Sequence, residues 1–313
     1  MKQNLLLITV ISCLFFSCSG NRLKLDDKNF ENEIELQQNL VFKFNQELVP
    51  DSFINVWVDE GFLSITPNVK GKFKWTARNE LVFSPDIGFL PSTDYKAEWT
   101  EAIVKYASKK YSLPEEKILN FHTPYLNLTA VGLFWAKNEN NKSITELRME
   151  FTMNAKVNPV DLKKLLHIKI EGKEMRYELN ASDASDKIMV AVQEENSTFD
   201  DKSLFISISP GLKCIESDFI SKEEIKYEMS IPSKGKFQVL QAEALYDEEM
   251  GYIKVTTNQQ LAEQNIESFI TIEPSLNVKI ETNESGFFVK GSFQSGNSYR
   301  IIIRKQLEGI FGG

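Results

Sequence analysis

The sequence predicts an all-β chain of tandem β-sandwich domains with short helical turns. Three observations predict it. Short runs with strand-type alternation fill most of the chain. Pro, Gly, Asn and Asp separate them at short intervals. One pattern of strand, Asn, helical turn and strand also recurs three times, at a spacing of roughly a hundred residues.

The chain begins differently. Lys2 supplies a positive start, and Leu5 to Phe16 is apolar apart from Thr9 and Ser12, the build of a secretory signal peptide. About twelve residues are too few to span a bilayer as a helix. Phe15-Phe16-Ser17-Cys18 then resembles the lipobox of bacterial lipoproteins, with Phe15 where leucine is usual. The resemblance implies a leader over 1–17 and lipidation of Cys18. Several acyl chains on that cysteine hold a protein stably to a membrane. Ser19 is not the aspartate that resembles an inner-membrane retention signal, so the expectation is an outer-membrane anchor, with the periplasmic or surface side open.

Residues 18–33, with Asp26-Asp27-Lys28-Asn29, are polar and aperiodic and predict a tether. Loss of the leader removes Cys13, acylation uses Cys18, and Cys214 is left without a disulfide partner, so hydrophobic cores must supply stability. A chain of 313 residues suits two or three domains. Its net charge of −8 argues against a nucleic-acid partner or an anionic membrane surface.

Strand signals follow in order. Val41 to Phe44 places Phe42 and Phe44 on one face; Val56-Trp57-Val58, Phe73-Lys74-Trp75 and Leu81-Val82-Phe83 follow. Turns are expected at Pro67-Asn68, Lys70-Gly71, Arg78-Asn79 and Ser84-Pro85-Asp86. Phe44-Asn45-Gln46-Glu47-Leu48 is echoed by Phe151 to Val157, around Asn154, and by Val255 to Leu261, around Asn258. Each copy predicts a strand ending in an Asn turn. A helical turn is expected next, at Pro50 to Ile54, at Asn158 to Leu162 with Asn as cap and Pro as opener, and at Asn265 to Phe269. Strand-and-turn segments close the pattern at Ile65-Thr66-Pro67, Ile168 to Gly172 and Ile270 to Pro274. Tyr95 and Tyr299 come late in the outer copies. The spacing matches one immunoglobulin-like sandwich. Pro-containing joints at Thr123-Pro124 and Ile231-Pro232-Ser233-Lys234-Gly235 place the sandwiches at 34–124, 125–232 and 237–313.

No active site is expected. His122 and His167 fall in separate domains within strand-like runs. The pairs Glu115-Glu116, Asp200-Asp201, Glu223-Glu224 and Glu248-Glu249 are adjacent, so in extended chain they point to opposite sides. Glycines are scattered, with no phosphate-cradling loop. No metal or cofactor is expected. The aromatics Phe42, Phe44, Trp57, Phe73, Trp75, Phe83, Tyr95 and Trp99 are expected to form a core rather than a sugar platform.

With the leader and repeats together, the chain resembles the N-terminal macroglobulin-like and Ig-like domains of bacterial alpha-2-macroglobulin lipoproteins of the Bacteroidota type. The resemblance rests on Phe42 to Leu48, Ile65 to Gly71 with Phe73-Lys74-Trp75, and Leu81 to Pro85 followed by Leu90 to Tyr95. It implies macroglobulin-like β-sandwich domains serving as scaffold of an envelope endopeptidase inhibitor, with proteases as partners. The bait and reactive thioester of such proteins lie further along, so an N-terminal piece or a truncated relative is expected. Cys214-Ile215-Glu216-Ser217 is similar to the thioester segment, but Ser217 stands where a glutamine must supply the acyl carbon, so the bond cannot form. The alternative reading is a surface-anchored binding module that holds a glycan or partner protein on its loops.

Overall fold

The computed structural model describes residues 22–194, 199–247 and 250–312. The expected leader over 1–17, Cys18 and the pair Glu248-Glu249 lie outside the described residues. The chain divides into two compact units, 1–124 and 125–313.

The first unit contains β1 (Leu25–Lys28), β2 (Leu40–Phe44), β3 (Trp57–Val58), β4 (Leu63–Thr66), β5 (Gly71–Ala77), β6 (Glu80–Pro85), β7 (Asp94–Trp99) and β8 (Ile118–His122). One sheet runs β1-β2-β6-β5-β3 and the other β4-β7-β8, all antiparallel. Alternation decides which side chains enter: Leu40, Phe42 and Phe44 of β2, and Tyr95, Ala97 and Trp99 of β7, are buried while their neighbours face out. The core is aromatic, and its rings meet edge to face, as Phe42 and Phe44 do on Trp99 at 4.9 and 5.2 Å. Of the expected core aromatics, Trp57 is the exception. It is 47% exposed, because the two-residue β3 is an edge strand, and Lys74 Nζ sits 4.6 Å from its ring.

Over its described residues, 22–33, the segment expected to be a tether is part of the first sandwich. Leu23, Phe30 and Ile34 are buried in the first core, and β1 pairs with β2. The edge strand Leu-Asp-Asp-Lys has no fully buried residue, so its polar sequence gave no strand signal.

The second unit opens with β9 (Leu128–Lys137), β10 (Thr145–Val157), the helix α1 (Pro159–Leu165), β11 (Leu166–Ile170), β12 (Lys173–Glu174), β13 (Glu178–Asn180), β14 (Ser185–Gln193), β15 (Ser203–Ile208) and β16 (Ile225–Ser230). It continues with β17 (Val239–Tyr246), β18 (Gly251–Thr257), β19 (Ile270–Glu273), β20 (Val278–Asn283), β21 (Gly286–Gly291) and β22 (Arg300–Ile303). Two apolar clusters lie in this unit, one on Leu147, Met149, Phe151, Ile188, Val190 and Ile206, the other on Val255, Ile272, Phe287 and Val289.

One strand order appears three times. The orders β1-β2-β6-β5, β9-β10-β14-β13 and β17-β18-β21-β20 are the same path, faced by β4-β7-β8, β11-β15-β16 and β19-β22. That is the seven-strand order of an immunoglobulin constant-type sandwich. Among the described residues the third copy has no seventh strand.

The repeated Asn is the fixed point of each copy. Asn45 Oδ1 accepts from the Lys24 amide at 2.9 Å, and its Nδ2 donates to Arg22 O at 3.0 Å. Asn154 does the same with Asn127 N and Tyr125 O, both at 2.8 Å. Asn258 does so with Gln238 N and Lys236 O, both at 2.7 Å. In each case the Asn amide also donates to the carbonyl of the residue whose amide it accepts. The carboxamide therefore holds the start of the first strand against the end of the second. Asn154 is not at a strand end as expected: β10 continues through it to Val157, with its register shifted after Thr152.

Helical turns follow at Asp51–Phe53, in α1 and at Ile266–Phe269. Asn158 caps α1 by accepting from the Val160 amide at 2.9 Å, with Pro159 opening it. Tyr95 Oη accepts from the Leu90 amide at 2.7 Å, and Tyr299 Oη from the Gln294 amide at 3.1 Å. Each tyrosine pins the corner that enters the sixth strand of its sandwich.

Candidate functional site

Among the described residues, those singled out for chemistry are not brought together. His122 ends β8, with Nδ1 3.0 Å from Thr123 O and 3.7 Å from Glu33. His167 lies on β11, 3.3 Å from Glu174. Among the described residues no three His, Cys, Asp or Glu side chains form a metal-ligand group. Glu115 faces Arg22 and Lys24 at 3.2 and 3.6 Å, and Asp200 accepts from the Lys234 amide at 3.2 Å. Glu224 pairs with Lys226 at 2.9 Å, and that hydrogen bond holds its carboxyl below the usual range.

Cys214 is fully buried and bridges to Val157. Burial, and then the Glu216 charge, push its thiol up, so it stays protonated at neutral pH. A nucleophilic cysteine needs the opposite shift. Ser217 accepts from the Phe219 amide at 3.0 Å and is spent on that local turn.

Two features remain. The first is a cleft of about 480 Å³ beside β16. Tyr125 and Phe219 stack in its wall at 5.0 Å and 18°, and Lys222 Nζ lies 5.1 Å from the Phe219 ring. Glu223, Glu224 and Lys226 line the rest. Two stacked rings flanked by charges of both signs offer an apolar platform with hydrogen-bonding groups at its edge. Sequence reasoning missed it because the two rings stand 94 positions apart (219 − 125) and only the fold pairs them. The one local signal was the apolar pair Phe219-Ile220 ahead of the charged run Lys222-Glu223-Glu224.

The second is a polar joint between the two sandwiches of the second unit. Trp135 donates from Nε1 to Pro232 O at 2.6 Å, while its main chain accepts from Gln260 N at 2.7 Å and donates to Asn258 O at 2.8 Å. Gln259, fully buried, donates to Lys234 O at 2.9 Å and accepts from the Phe311 amide at 3.0 Å. Lys234 pairs with Glu194 and lies 5.1 Å from the Trp135 ring. Beyond them, the outer face of β10 carries Glu146, Arg148 and Glu150. Arg148 meets Glu146, Glu139 and Glu284 at 3.3, 3.4 and 3.2 Å, and Glu150 meets Lys254 at 3.2 Å. Glu284 and Lys254 belong to the third sandwich, so this face is covered rather than solvated.

No protein-family model matches the chain, and no curated protein matches it. Among the described residues no helix is long and apolar enough to cross a membrane.

Proposed function

We propose that the chain is a non-catalytic scaffold of an envelope protease trap of the alpha-2-macroglobulin type, anchored at the outer membrane through lipid on Cys18 and having proteases as its partners. The observation that carries this reading is the threefold use of one sandwich plan, fixed in every copy by the same asparagine clamp. Buried locking of the second and third copies at Trp135 and Gln259 suits a part that transmits force or position more than one that performs chemistry. Bait and thioester lie outside this chain in that reading, and Cys214 takes no part. The test is incubation with a panel of endopeptidases at equimolar ratio. Cleavage of the chain with full protease activity retained fits a scaffold; stoichiometric loss of protease activity to this chain alone overturns it.

A second reading, a surface module that binds a glycan or partner protein, is favoured by the Tyr125 and Phe219 cleft. It requires saturable binding of a defined glycan that Phe219→Ala abolishes while the melting temperature stays unchanged.

A further inference from the structure

The three copies of the sandwich plan serve as controls for one another. Thr100, Ser209 and Arg304 donate their amides to Phe62 O, Leu165 O and Phe269 O at 3.0, 2.9 and 2.9 Å, which marks the same point in each copy. That point lies 11 positions after the clamp asparagine in the second and third copies (165 − 154 and 269 − 258) and 17 after it in the first (62 − 45). The first copy therefore holds six residues (17 − 11) that the plan does without.

This longer segment builds β3. Asn55 takes φ 63°, the left-handed region that asparagine tolerates. Three steps along the chain, from Ile54 to Trp57, then match a single step of the partner strand, from Trp75 to Lys74. Among the described residues no other copy has a strand in this position: their sheets end at β13 and β20, where the first continues from β5 to β3. The addition displays Trp57, which is 47% exposed, whereas Trp75, Trp99 and Trp135 are buried. The core of the sandwich gains nothing from a ring held outside it.

The surroundings of that ring point to its ligand. Trp57 pairs with Lys74, and side chains alternate along β5, so Trp57, Lys74 and Lys72 share the outer face of the sheet. Lys74 Nζ lies 4.6 Å from the ring centroid. A cleft of about 300 Å³ beside the ring is lined by Trp57, Lys72, Ser84, Pro85 and Asp86. Among the described residues neither Lys72 nor Lys74 forms an ion pair. A flat ring, a hydroxyl, a carboxylate and two uncommitted cations suit an acidic sugar: its ring stacks on the indole, its hydroxyls bond to Ser84 and Asp86, and its carboxylate meets the ammonium groups. An acidic peptide fits less well, because a two-residue edge strand offers few main-chain bonds.

We infer that Trp57, Lys72 and Lys74 form a binding site for a polysaccharide that carries carboxylate groups. The site does not rest on the scaffold reading, and it shares no residue with the Tyr125 and Phe219 cleft.

The experiment uses the full chain and three uronic-acid polymers, polygalacturonate, alginate and hyaluronate, each also in carboxyl-reduced form. Binding is read by affinity electrophoresis and by protection of tryptophan fluorescence from acrylamide, since Trp57 is the indole that a quencher reaches. At least one acidic polymer binds saturably and protects the fluorescence, and its reduced form binds about fivefold more weakly. Trp57→Ala weakens binding about tenfold with the melting temperature unchanged, whereas Trp57→Phe, which keeps a ring, retains most of it. Lys72→Gln with Lys74→Gln brings the acidic and reduced polymers to equal affinity. Phe219→Ala leaves binding intact. No binding of any polymer at millimolar sugar, full binding by Trp57→Ala, or equal binding of the reduced polymers to the unsubstituted chain overturns the site. Loss of binding in Phe219→Ala places the glycan in the other cleft, and equal binding of poly-glutamate assigns the face to acidic peptides; either result also overturns it.

Discussion

At the scale of single residues, the three clamp asparagines make the same bonds in different surroundings, which separates hydrogen bonding from burial. Asn45 and Asn154 are exposed and Asn258 is fully buried, with a further bond to Ser233 O at 2.9 Å. Water can replace the lost carboxamide at the first two, so Asn45→Ala and Asn154→Ala should each cost about 1 kcal/mol in chemical denaturation. Asn258→Ala removes three hydrogen bonds made by a fully buried carboxamide, to Gln238 N, Lys236 O and Ser233 O, and should cost about 3 kcal/mol. Equal costs at all three would show that burial is irrelevant to the clamp. Cys214 gives a pH dependence whose sign is fixed. Burial raises its folded pKa above the unfolded value, so its contribution is fully present through neutral pH and is lost as pH rises through the ordinary thiol range toward the folded pKa. Cys214→Ala should remove part of the stability loss seen on the alkaline side. Alkylation of Cys214, followed by peptide mass spectrometry, should be slow in the native protein and fast after unfolding.

At the scale of elements, strands announce themselves where one face is buried and the other wet, and fall silent elsewhere. β2 alternates cleanly and was legible from Phe42 and Phe44, whereas of β7, which alternates as cleanly, only the burial of Tyr95 and Trp99 was expected. β1 was not legible, because an edge strand of Leu-Asp-Asp-Lys buries too little to shape its composition. The recurrence of Asn45, Asn154 and Asn258 was legible as a repeat, but their role was not. The residues they grip, Lys24, Asn127 and Gln238, are set by tertiary structure rather than by a fixed offset. The covering of Glu146, Arg148 and Glu150 was not legible, because alternation along a strand carries no sign of a second sandwich packed on its polar face. The candidate cleft stayed hidden for a related reason, its two rings being joined only through space. The tyrosine corners belong to this scale too. Tyr95 is buried within an aromatic cluster, stacked on Phe121 at 5.5 Å, whereas the Tyr299 bond is exposed. Tyr95→Phe should therefore cost about 1 to 2 kcal/mol, by leaving the Leu90 amide unpaired, and Tyr299→Phe less than half of that, both read from denaturant midpoints.

At the scale of the whole molecule, the decisive contacts lie inside the second unit, where two apolar cores share one polar joint. Arg148 and Glu146 keep only 5% and 3% of their side-chain surface, and Glu284 of the third sandwich completes the set. Removing one partner of a buried pair leaves the other charge unpaired and typically costs 3 to 5 kcal/mol, so Arg148→Ala should destabilise strongly through the stranded Glu146 carboxylate. Arg148→Met with Glu146→Leu removes both charges and keeps the volume, and should recover most of the loss. The two variants also separate stability from coupling. If the joint makes the two sandwiches one cooperative body, wild type and the double variant unfold in one calorimetric transition, while Gln259→Ala, which breaks the bonds to Lys234 and Phe311, splits it in two. Gly309→Ala should act in the same direction, because a Cβ there would meet Gln259 Oε1 at 2.5 Å and the Gln259 Cβ at 2.8 Å, displacing the same side chain. A single transition that survives both substitutions would place the coupling on the covered face of β10 instead. Arg148→Ala would then be the variant that uncouples the sandwiches.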